Sequence, residues 1–262
     1  MWSTWILDNR SVNAAARRAL TGVAVVLGAG VFGATALAAH LSVSPQPVLL
    51  ETVAPVVSVA PVVSVAPAVA AASILDPLQD WAQQQANLTG IPVPAMRAYG
   101  RVELRLAREQ PQCRVGWVTL AGIGKIESDH GRYDGRALGE DGRSSTPIIG
   151  IALDGAGVAH IGDSDGGVLD GDAILDRAVG PMQVIPSTWR RWGADGDANG
   201  RVDVHDLDDA ALAAGRYLCA SGSVASDSGW RAAVLSYNAS TQYVLDVSAW
   251  SNAYATASSG RR

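Results

Sequence analysis

Cysteine is scarce in this 262-residue chain, which has only Cys113 and Cys219. Neither sits in a CxxC or His-rich context, so a zinc site is not indicated. Both also lie far from the N-terminal apolar stretch, which argues against a lipoprotein. Basic residues are in short supply too. From Ser73 onward 17 Lys and Arg face 23 Asp and Glu, and over residues 129–209 alone the balance is 7 to 16. A nucleic-acid partner needs a basic face for its phosphates, so nucleic acid is excluded and a bound cation is the better match. Apolar/polar alternation is convincing only at Pro147 to Ile161, where PIIGIAL, a DGAG turn and VAHI read as a short hairpin.

Charge is missing altogether between Ala19 and Ala39, directly after Arg17 and Arg18. At about 1.5 Å per residue such a helix spans roughly the 30 Å of a bilayer core. The Arg pair places residues 1–18 in the cytoplasm. Ala36-Leu37-Ala38 also fits a signal-peptidase site. Residues 19–40 are therefore expected to be a cleaved signal or a retained transmembrane anchor. Both readings put the rest of the chain in the extracytoplasmic space, secreted or membrane-anchored. Residues 41–74 carry the repeat VAPVVS, VAPVVS, VAPAVA from Val53, Val59 and Val65. Proline every sixth residue blocks helix and ladder bonding, so this is an extended, disordered Pro/Val/Ala spacer. In an exported chain the two cysteines suggest a Cys113–Cys219 disulfide. Closing a loop of about 100 residues contributes at most about 4.7 kcal/mol in the chain-entropy model.

The exported domain, residues 75–256, reads as mainly α with one small β-hairpin, followed by a disordered tail at 257–262. Asp76-Pro77 opens a helix that Gly90 stops, and Pro94 opens another in which Met96, Tyr99, Val102 and Leu106 recur at helical spacing. GWVTLAGIGKIES, DLDDAALAAGRYLCAS, GWRAAVLSYN and TQYVLDVSAWSNAYA each read as helix.

Several residues stand out against this frame. Projection at 100° per residue puts Glu127 between Leu120 and Ile123 on the apolar face of its helix, where a carboxyl resists ionisation. In AVGPMQVIPSTWRRWG, Gly180-Pro181 forces a turn and Pro186-Ser187 opens a short helix. That leaves Met182 and Gln183 on the turn, where an amide can both donate to and accept from sugar hydroxyl and N-acetyl groups. Tyr237-Asn238 closes a helix with a phenol and an amide. DGDANGRVDVHDLDD has Asp195, Asp197 and Asn199 at positions 1, 3 and 5 of an EF-hand-type loop, Gly200 at the turn and Arg201 offering a carbonyl. Asp206 stands where a bidentate Glu is usual, with Asp209 three residues on as the other closing ligand.

In their order, IES at Ile126–Ser128, GPMQVIPSTW at Gly180–Trp189, the Asp195 loop and SYN at Ser236–Asn238 resemble the lytic murein transglycosylases of the membrane-bound transglycosylase B type, across roughly Leu75 to Tyr254. The resemblance implies a lysozyme-like fold that cleaves the β-1,4 bond between N-acetylmuramic acid and N-acetylglucosamine in peptidoglycan strands. It makes Glu127 the catalytic acid, places Gln183, Tyr237 and Asn238 along the cleft, and makes the loop a structural Ca2+ site closed by Asp209; Ser128, next to the acid, and Met182, on the turn, are expected to contact the sugar as well. Residues 138–176, an Asp/Gly-rich insertion, depart from the family pattern.

Overall fold

The computed structural model describes residues 77–260. The expected cytoplasmic stretch, signal or anchor, and spacer lie outside the described residues. Among the described residues no helix is long and apolar enough to cross a membrane.

Seven α-helices account for about half of the described residues: α1 Pro77–Thr89, α2 Val93–Glu109, α3 Trp117–Ser128, α4 Pro186–Trp192, α5 Leu207–Cys219, α6 Asp227–Tyr237 and α7 Thr241–Ser258. Their boundaries follow local chemistry. Gly90 takes a left-handed φ of 74° after α1, and Pro94 sits in the first turn of α2. Side-chain oxygens of Asp206, Ser226 and Ser240 cap α5, α6 and α7 by accepting from backbone N–H groups. Helix α7 runs to Ser258, past the expected end of order at 256, because no helix breaker intervenes before Gly260.

The core is one apolar cluster shared by α2, α3, α5 and α7, with Tyr99, Leu106, Leu120, Ile123, Leu207, Leu212, Leu218 and Tyr243 fully buried. Small residues set the helix approaches. A Cβ on Gly122 of α3 would lie 2.9 Å from the Val247 carbonyl of α7, so that crossing depends on glycine. The Cys113–Cys219 disulfide is formed and joins the α2–α3 loop to the end of α5 across 106 residues.

The β-structure differs from the expected hairpin. Strand β1, Ile149–Ala152, pairs antiparallel with β2, Arg177–Val179, rather than with the VAHI segment. The chain does turn back after Leu153, since Ile161 N donates to Leu153 O and Asp154 bridges His160. That pairing ends there. Val179 is fully buried and leads into the Gly180 turn, so pairing β1 with β2 anchors the strand to the core; residues 158–160 are largely exposed and offer no comparable burial.

Candidate active site

Glu127 occupies the last turn of α3, and the chain leaves that helix in an unusual way. Asp129, His130 and Gly131 all have left-handed φ values, 51°, 59° and 81°. Two consecutive non-glycine residues in that region cost roughly 1–3 kcal/mol each, so the surrounding structure must hold them. His130 is 1% exposed, and its ring lies between the Tyr99 hydroxyl at 3.1 Å and the Tyr254 hydroxyl at 2.9 Å. Burial pushes the His130 pKa down to about 3, which keeps the imidazole neutral. Asp129 pairs with Lys125 at 2.5 Å and Arg132 at 3.3 Å. Burial alone would raise its pKa; these cations outweigh burial and hold it below the usual range.

The Glu127 carboxyl is half-buried, and Tyr243 from α7 donates its phenol to Oε1 at 2.5 Å. Desolvation raises the Glu127 pKa from 4.5 to about 7, while the Tyr243 hydrogen bond works in the opposite direction. The acid therefore keeps its proton well above the usual carboxylate range. Tyr243 lies parallel to Tyr237, with ring planes 5° apart and centroids 6.5 Å apart. Tyr237 in turn donates to the Met182 carbonyl at 2.7 Å. Burial, and then the nearby Glu127 charge, push both phenols well above their ordinary values, so they remain donors.

The Gly180–Gln183 turn completes this wall. Gly180 has φ 75°, and a Cβ there would run into the Val204 carbonyl. Gln183, itself left-handed at φ 47°, returns its Nε2 to the Gly180 carbonyl at 2.9 Å, and its Oε1 faces Gly150 on β1. Ser128 ties the turn to α3: it is fully buried, its Oγ donates to Pro181 O at 2.6 Å and accepts from Gly131 N at 2.7 Å. Ser128 and the Met182 side chain, which is fully buried as well, thus position the turn rather than face a ligand. Asn238 is the exposed C-cap of α6. The structure thus gathers Glu127, Gln183 and Tyr237 around one turn. Tyr243, the closest partner of the acid, was not singled out by sequence reasoning; its only local signal is a tyrosine in the first turn of a Ser-capped helix.

The acidic loop forms a separate cluster. Carboxylate oxygens of Asp195, Asp197 and Asp209 lie within 4.8 Å of one another. Asp209 is fully buried, and its oxygens accept from Gly196 N at 2.6 Å and Asp203 N at 2.7 Å. Burial, and then the Asp197 and Asp195 charges, raise its pKa. Asn199 Oδ1 accepts from Arg201 N at 2.8 Å, and its amide nitrogen donates to Asp197. Asp206 is turned elsewhere, capping α5 by accepting from Asp208 N. Three crowded carboxylates, one of them buried and facing only neutral donors and like charge, fit a divalent cation bound by oxygen.

Residues 176–234 match the family model described as the transglycosylase SLT domain. That span holds the Gly180–Gln183 turn and the Asp195 loop, while Glu127 and Tyr237 fall outside it. No curated protein matches the chain. Among solved structures, similarity extends to the Escherichia coli lytic transglycosylase Slt35 in complex with bulgecin A, at 16% identity and a TM-score of 0.41, covering 70% of this chain and 75% of that one. It extends also to SltB3 from Pseudomonas aeruginosa in complex with NAG-anhNAM-pentapeptide, at 19% identity and a TM-score of 0.41, covering 69% of this chain and 64% of that one. The turn and the acidic loop just described thus both lie within the segment that matches the transglycosylase SLT domain.

Proposed function

We propose that the chain is a lytic transglycosylase of the membrane-bound transglycosylase B type, acting on peptidoglycan glycan strands outside the cytoplasm. The observation that carries this reading is Glu127, a carboxyl whose pKa is raised to about 7 by burial and whose oxygen is held by the Tyr243 phenol beside the Gln183 turn. Protonated Glu127 donates to the glycosidic oxygen between N-acetylmuramic acid and N-acetylglucosamine as that bond breaks. The muramyl N-acetyl oxygen attacks the anomeric carbon in the same step. Glu127, now a carboxylate, takes the proton from the C6 hydroxyl, whose oxygen displaces the N-acetyl group. A 1,6-anhydromuramyl end forms with no water consumed. Asn238, exposed at the end of α6, offers its amide to the sugar; buried Gln183, bonded through Nε2 to the Gly180 carbonyl, braces the turn, and the Tyr237–Met182 hydrogen bond holds the wall.

A usual glycosidase needs a second carboxylate about 5 to 9.5 Å from the acid. The aspartates that follow Glu127 in the chain are engaged elsewhere: Asp129 with Lys125 and Arg132, Asp134 beside Arg136 at 3.6 Å, and Asp141 in a turn with Arg143 N. This favours substrate assistance over hydrolysis. The acidic loop, in this proposal, holds structural Ca2+ through Asp195, Asp197, Asn199, the Arg201 carbonyl and Asp209; the ion would neutralise the crowded carboxylates and clamp the loop to α5. Mass spectrometry of muropeptides released from purified peptidoglycan tests the assignment. Anhydro ends are expected. Reducing ends, heavier by one water, would make the enzyme a hydrolytic muramidase, and no release at all would leave a wall-binding module.

A further inference from the structure

Beside the Gly180–Gln183 turn lies a concavity of about 130 Å³, walled by Arg143, Thr146, Pro147, Ile148, Pro181 and His205 among others. It belongs in part to the insertion in which this chain departs from its family pattern. Both chain segments that bound it continue into the active-site wall: Ile148 accepts from Gly180 N and precedes Gly150, which faces Gln183, while Pro181 accepts from Ser128 next to Glu127. The walls are of two kinds. Pro147, Ile148 and Pro181 are apolar, and His205 adds an imidazole ring.

The state of that ring follows from its burial. His205 Nδ1 is sealed from solvent and has no hydrogen-bond partner. Desolvation lowers the pKa of the ring, which leaves it neutral with a single N–H. An orphaned buried N–H is rarer than an orphaned lone pair, so the proton belongs on Nε2 rather than on the sealed Nδ1. Arg143 does not make the site anionophilic, because its Nη2 bonds Asp203 at 2.5 Å and Asp206 and Asp141 lie nearby. A ligand carboxylate would meet that acidic surround. A neutral amide bearing a small alkyl group meets none of it: its oxygen accepts from Nε2–H and its methyl rests on the prolines and Ile148.

We infer that this concavity is a subsite for a short secondary amide of the wall polymer, either a sugar N-acetyl group or the first amide of a peptide stem, with His205 as its donor. The inference rests on the glycan reading of the cleft, and it makes His205 a specificity residue rather than a catalytic one.

Binding to the full chain carrying Glu127→Gln tests it by calorimetry, with triacetylchitotriose, its de-N-acetylated form and a disaccharide tetrapeptide as probes. His205→Phe fills the same space without the donor, and His205→Gln restores an N–H. The phenylalanine variant should bind an acetylated probe about three- to tenfold more weakly, the span of one net hydrogen bond, and the glutamine variant should recover part of the loss. De-N-acetylated trimer should be indifferent to both changes. Loss on the chitotriose identifies the sugar N-acetyl as the source; loss confined to the disaccharide tetrapeptide identifies the stem amide. Independently of any fold defect in the variants, the His205 Nε2 resonance of the Glu127→Gln chain should move when an acetylated probe is added. Probes that bind equally to all variants and leave that resonance in place would overturn the subsite while leaving the glycan reading intact. Absence of binding by every probe would remove the glycan reading and the subsite together.

Discussion

Glu127 and Asp209 are both carboxyls that burial drives away from ionisation, yet their surroundings direct them to different ends. Glu127 has one phenol donor and a pKa near 7, so a proton satisfies it and can be lent to a leaving group. Asp209 has two backbone donors and two like-charged neighbours, so protonating it relieves only part of the crowding and a divalent cation relieves more. A solitary acid is suited to proton transfer; a crowded one is suited to holding a cation. Four experiments can break or sharpen that contrast.

The largest effect is expected from Glu127→Gln, which keeps the shape and removes the transferable proton. Turnover on purified peptidoglycan should fall by about a thousandfold, the scale of general acid–base catalysis, with the fold retained by circular dichroism. Retained turnover would show that this carboxyl is not the acid.

The same variant reads the acid through stability. The unfolded carboxyl ionises near 4.5 and the folded one near 7, so the native state holds its proton longer and wild-type stability falls as pH rises between those values. Above pH 7 the cost levels off at up to about 3 kcal/mol, and below pH 4.5 it vanishes. Glu127→Gln should therefore melt higher than wild type at pH 8, with the difference closing by pH 4. A constant difference across that range would contradict the raised pKa.

Cation removal comes next. If Ca2+ at a hundred times its dissociation constant binds only the folded loop, a chelator lowers stability by about 2.7 kcal/mol. A lower melting temperature is expected on chelation, and Asp209→Asn should abolish the response. A melt that ignores the chelator would leave the three carboxylates without a metal role.

Tyr243→Phe should have the smallest effect, about tenfold in rate. The phenol favours the ionised carboxylate, so its loss should move the alkaline limb of the pH–rate profile upward. An unmoved limb would separate Tyr243 from the acid.

Much of this was legible before folding was considered. Helix starts and stops at Pro77, Gly90 and Pro94 are local events, written in residues that fix φ or remove a donor. Glu127 was conspicuous because one carboxyl interrupts an apolar helical face, and Asp195, Asp197 and Asn199 because alternate oxygens flank a glycine turn. The Tyr243 phenol was not legible: it meets Glu127 across 116 residues, and nothing in TQYVLDV separates it from a core tyrosine. The hairpin misled for a similar reason. Alternation at 147–153 signals a strand, but a strand's partner is chosen by which neighbour brings buried surface, and here that was Val179.

Sequence by itself determined the helical frame, the acidic character of residues 129–209 and the place of Glu127 on an otherwise apolar helical face, because periodicity, composition and backbone stereochemistry act within a few residues of their cause. Only tertiary structure decided that Ser128 and Met182 turn inward, that Asp206 is spent capping α5, and that a phenol from α7 reaches Glu127. Burial and hydrogen-bond partnership are properties of packed neighbours, and those neighbours come from opposite ends of the domain.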